Sequence, residues 1–161
     1  MALQRRQRVG LAGLLSVGAL VALIVLWPVP VDRSLRGAIA VFLDALHEAG
    51  VPSWFGYAQL EFTANIIMFV PLGFFMCLLL PRGRALLCAM LVPAASLAAE
   101  TAQLLFLPAR YASLLDVVAN SVGGWLGALL ALAVSALAST HRQPATAVAV
   151  QPRLRDRQHT R

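Results

Sequence analysis

The chain contains no lysine, only two cysteines and only seven acidic residues in 161. Each shortage excludes a class of protein. Charged residues make up 12% of the chain and hydrophobic ones 60%, against roughly 25% charged in soluble domains. Too little polar surface is left to wrap a water-soluble core of this size. No Ser–His or Cys–His pair is apparent, no histidine falls within an apolar run, and no metal-ligand spacing occurs. No catalytic residues, metal or cofactor are therefore expected. The net charge of +6 does not indicate nucleic acid, because the arginines are dispersed without interleaved aromatic residues. Membrane topology and anionic lipid account for them better.

What is abundant is uninterrupted apolar sequence. Three uncharged runs, Val9 to Trp27, Phe62 to Leu80 and Val117 to Leu137, and a fourth, Ala85 to Leu107, that carries only Glu100, each approach the roughly 20 residues a helix needs to cross a bilayer. The reading is an all-α integral membrane four-helix bundle, with spans at about 9–27, 62–80, 85–107 and 117–137. The first run is too long for an export signal and lacks a small-x-small cleavage site, so a retained helix is expected. Ten of the 13 basic residues fall on one side of these spans. They are Arg5, Arg6, Arg8, Arg82, Arg84, Arg142, Arg153, Arg155, Arg157 and Arg161; Arg33, Arg36 and Arg110 fall on the other. Because cytoplasmic loops are positive, both termini and the Pro81–Arg84 turn are expected in the cytoplasm, and the protein in the membrane that encloses it.

The external loop from Pro28 to Glu61 carries a helix signal. Asp32 is a candidate cap, and Leu35, Ile39, Phe42, Leu43 and Leu46 recur at helical spacing, as in an amphipathic helix lying on the outer bilayer surface. Gly50 and Pro52 stop it. Pro71 predicts a kink in the second span. The Pro81–Arg84 turn predicts an antiparallel hairpin of the second and third spans. Cys77 and Cys88 flank that turn at equal distances, on the side where a disulfide does not persist, and read as small packing residues. Ser121, Gly123, Gly124 and Gly127 form a small-residue face suited to close helix approach. Residues 1–138 form the membrane domain; 139–161, rich in Thr, Pro, Gln and Arg, read as a disordered basic cytoplasmic tail.

The polar residues within the spans all gather toward the outer side. Asn65 lies one turn from Glu61, Asn120 one turn from Asp116, and Gln103 one turn from Glu100, which is roughly 10 Å deep at 1.5 Å per residue. A carboxylate in the membrane costs about 2.5–3.5 kcal/mol at the helix centre, so Glu100 requires a partner. Arg110, ten residues on, is the nearest in sequence, and Asn65 and Asn120 are expected to complete a hydrogen-bonded network with it. Ser113 and Asp116 also fit a capping box, and Glu61 sits near a helix start.

The segments Asn65–Gly73, Ser96 through Glu100 to Gln103, Arg110, and Asp116–Gly124 together resemble VanZ-like domains over roughly Glu61 to Leu132. The resemblance implies a small bacterial membrane protein, the family being named for one linked to resistance against the glycopeptide teicoplanin. It marks Asn65, Pro71, Gly73, Glu100, Gln103, Arg110, Asp116, Asn120 and Gly124. The expectation is a non-catalytic envelope protein. Its outward pocket, built from Glu61, Asn65, Glu100, Gln103, Arg110, Asp116 and Asn120, binds a cell-wall precursor or lipoglycopeptide. The alternatives are an enzyme on a lipid-linked substrate at the outer leaflet, with Glu100 and Asp116 as acid and base, and an assembly partner or homo-oligomer joined through the glycine face.

Overall fold

The computed structural model describes residues 4–27, 34–81, 83–107 and 113–140. They form helices α1 (Arg5–Val25), α2 (Arg36–Glu48), α3 (Tyr57–Leu79), α4 (Ala85–Phe106) and α5 (Leu114–Thr140). Four of these, α1, α3, α4 and α5, are long and apolar enough to cross a membrane. The shortest, α1, has 21 residues and so spans about 32 Å, the thickness of the hydrocarbon layer. Much of their apolar surface points outward, and Ile67, Leu86, Met90, Leu104 and Leu129 are all more than half exposed. Lipid tails cover such side chains without cost, as water does not. The chain is an all-α membrane bundle.

Helix α2 stands apart. It buries none of its residues, and Val41 and Phe42 remain exposed, which suits a helix whose apolar face lies against a bilayer surface. Its end follows from Gly50, whose φ of 98° allows the Gly50 and Val51 amides to close back on the His47 and Leu46 carbonyls, each at 3.0 Å. That is a Schellman stop. Its N-cap is Leu35, without a side-chain cap bond; Asp32, the expected cap, lies outside the described residues.

The widest interface joins α3 to α5, followed by α1 with α3 and α4 with α5. Glycine sets this order. A Cβ on Gly123 would strike the Ile66 carbonyl, one on Gly127 the Val70 carbonyl, and one on Gly73 the backbone of Gly124. Asn65 likewise meets Asp116, so contacts advance in the same direction along both chains and α3 and α5 run parallel, backbone against backbone. Two sequence expectations change here. The Pro81–Arg84 turn reverses the chain, but α3 and α4 touch only sparsely, because the glycine face draws α5 onto α3. The same face, expected as a surface for a second copy, is covered within the chain, Gly123, Gly124 and Gly127 all being buried. Helix α3 runs unbroken through Pro71. Cys77 and Cys88 are free thiols packed in one apolar cluster with Leu78, Ala128 and Ala131.

At the end of the bundle bearing the arginines, Arg6 does more than bias topology. Its Nη1 and Nη2 donate to the carbonyls of Leu80 at 2.8 Å and Cys77 at 2.6 Å. Gln7 reaches the Leu79 carbonyl. These are the last carbonyls of α3, which have no helical donors, and a cation there also complements the helix dipole.

Candidate functional site at the Glu100 end

The opposite end is held together by polar side chains, each joining two helices. Glu100 lies on α4 six residues before its last residue, Phe106, and is only 6% exposed. Its Oε2 accepts the backbone amide of Ser113 at 2.9 Å. Ser113 precedes α5, accepts the Leu115 amide on its hydroxyl at 3.2 Å, and takes the Asp116 and Val117 amides on its carbonyl. It is thus the N-cap of α5. The structure therefore splits the expected capping box. Ser113 performs its half, but the reciprocal acceptor comes from Glu100 on the neighbouring helix instead of Asp116 three residues on. A carboxylate that α4's own C-terminal dipole disfavours is placed against the positive end of α5.

Asp116, relieved of that duty, accepts Asn65 Nδ2 on its Oδ1 at 3.0 Å and ties α5 to α3. One turn further along α5, Asn120 donates to the Ser96 hydroxyl at 2.9 Å. Both are almost fully buried, and Asn120 Oδ1 has no hydrogen-bond partner. Gln103, 4% exposed, donates to the Val25 carbonyl at 2.7 Å. Val25 is the last residue of α1, so its carbonyl has no helical donor. Asn65 and Asn120 thus bond to Asp116 and Ser96 and not to Glu100, which corrects the expected network. Glu61 is exposed on α3; Arg110 lies outside the described residues.

Sequence reasoning missed the remaining α4–α5 tie. Pro93 sits inside α4 and has no N–H, which deprives the Ala89 carbonyl of its helical donor. The indole Nε1 of Trp125 supplies one at 2.9 Å. The proline was a visible signal that Ala89 needs an acceptor's partner, but its donor comes from 36 residues away. Glu100–Ser113, Ser96–Asn120 and Ala89–Trp125 descend as rungs between two antiparallel helices.

Beside this network a cavity of about 370 Å³ opens between Trp54, Phe55, Gln59, Phe62, Thr63 and Leu115. Trp54 and Phe55 meet edge to face, with ring centroids 6.2 Å apart. Leu115 immediately precedes Asp116, so the cavity lies at the same end of the bundle as the half-buried Asn65–Asp116 pair, although neither of those residues lines it. Among the described residues, no three His, Cys, Asp or Glu side chains group as they would around a metal ion.

No curated protein and no solved structure matches the chain. A family model described as VanZ/LLP1 matches residues 14–135, taking in most of α1 and all of α2 as well as the motif segments of α3, α4 and α5. With the match covering well over half its length, the chain belongs to the VanZ/LLP1 family.

Proposed function

We propose that the protein is a non-catalytic component of the bacterial cell envelope, oriented with its Glu100 end outward, where it binds an external or lipid-linked ligand. A cell-wall precursor or lipoglycopeptide has the required chemistry of amide and sugar donors joined to an apolar tail. The observation that carries this reading is the coincidence, at one end of the bundle, of the half-buried Asn65–Asp116 pair and the aromatic cavity that begins at Leu115. A carboxylate is an acceptor suited to amide and sugar donors, while Trp54, Phe55 and Phe62 present flat apolar faces to a sugar ring or lipid chain. Glu100 is a positioning residue in this account: by holding the Ser113 amide it fixes the start of α5 and with it Asp116. The outward orientation is supported by the arginine asymmetry, ten of 13 basic residues lying on the other side.

The family's link to teicoplanin supplies the phenotype to test. Expression in a teicoplanin-sensitive host is expected to raise the inhibitory concentration, Asp116→Asn to remove that gain, and Glu100→Gln, which keeps a weaker acceptor for the Ser113 amide, to reduce it, while membrane abundance is unchanged. Undiminished protection by both variants would refute the site. Purified protein incubated with a labelled lipid-linked precursor is expected to retain it unaltered; turnover lost with either carboxylate would favour the enzyme reading instead.

A further inference from the structure

The arginine-bearing end holds a cavity of about 230 Å³ that the ligand proposed above does not use. Its walls come from four places: Arg6 on α1, the end of α3 at Cys77 and Leu80, the turn and start of α4 at Arg84 and Ala85, and Ser135 on α5. Among the described residues, two guanidinium groups border it and no acid does. Arg6 commits Nη1 and Nη2 to carbonyl oxygens, and its Nε is buried without an acceptor. The Arg84 side chain is exposed and, among the described residues, makes no hydrogen bond. Arg84 is also the N-cap of α4, which has neither a side-chain cap nor an acid in its first turn. The opening amides and positive dipole of α4 are thus uncompensated beside the same cavity.

We infer that this cavity binds the phosphodiester headgroup of an anionic phospholipid of the leaflet in which the arginine-bearing end lies. The negative charge of the phosphate answers the Arg6 and Arg84 guanidinium groups and the start of α4. The acyl chains run along the exposed apolar faces beside it, where Leu86, Met90 and Leu129 face outward. Basic pockets between membrane helices are suited to such headgroups. The inference rests on the bundle spanning a membrane, but not on the ligand proposed for the Glu100 end.

The test is native mass spectrometry of the full-length protein, released from mixed micelles containing dilute phosphatidylglycerol or phosphatidylcholine, with inorganic phosphate as a third arm. One phosphatidylglycerol per chain is expected to persist, phosphatidylcholine to be lost, and millimolar phosphate not to displace the lipid. Arg84→Gln, a change at an exposed side chain without bonds to lose, is expected to weaken retention about fivefold or more. Arg5→Gln, the same charge change at an exposed residue outside the cavity, is expected to alter it less than twofold. Equal effects of the two variants, equal retention of both lipids, or displacement of the lipid by free phosphate would each overturn the assignment.

Discussion

Glu100 shows how a membrane helix keeps an acid. Among the described residues its carboxylate accepts the Ser113 N–H at 2.9 Å, backed by the first-turn dipole of α5. An ionised acceptor on a backbone amide is among the stronger hydrogen bonds, and a helix N-terminus favours negative charge by up to about 2 kcal/mol when partly buried. Glu100→Ala is therefore expected to destabilise the bundle by about 1–3 kcal/mol, the cost of leaving a buried donor unpaired. Glu100→Gln retains an acceptor oxygen and is expected to lose less. Thermal unfolding in detergent separates the two, and equal losses would contradict the bond. Trp125 offers a second residue-scale test. Trp125→Phe is expected to cost about 0.6 kcal/mol, the usual worth of an interhelical bond in a membrane. In a Pro93→Ala background, where a helical amide can reclaim the Ala89 carbonyl, that cost is expected to shrink. A double-mutant cycle without coupling would break the link.

At the scale of helices, glycine decides which neighbours touch. Gly123 and Gly127 admit the carbonyls of Ile66 and Val70, so α5 lies parallel to α3 and displaces α4, its neighbour in sequence. Gly127→Leu is expected to separate α3 from α5 at a cost of about 1–3 kcal/mol or more, seen as a lower unfolding temperature. Gly37→Ala on α2, where a Cβ meets nothing within 4 Å, is expected to be neutral or to stabilise by about 1 kcal/mol. The sequence was informative about what periodicity and length encode: four apolar helices, a detached amphipathic one, and a polar level at one end. The Gly123-x-x-x-Gly127 spacing announced a close approach but not its partner, since a small-residue face fits a neighbour in the same chain and one in another equally well. Capping was legible in the same partial way. Ser113 announced a helix start, but a capping box written in one strand of sequence was completed by Glu100 from another helix, and no local rule reaches 13 residues back.

For the molecule as a whole, the two ends have opposite chemistry. One carries Arg6 and Arg84 on the terminal carbonyls of α3 and the open start of α4; the other carries Glu100, Asp116 and the aromatic cavity. The proposed function requires the second to face outward. Thiol labelling reads this directly, because the native Cys77 and Cys88 are buried and stay silent toward a water-soluble reagent. Ala58→Cys stands exposed at the cavity lined by Trp54 and Phe55, and Ala85→Cys stands exposed at the arginine-bearing end. In intact cells or spheroplasts, a membrane-impermeant maleimide is expected to label the Ala58→Cys protein at once and the Ala85→Cys protein only after the membrane is opened. Labelling of Ala85→Cys from outside, with Ala58→Cys protected, would contradict an outward-facing site.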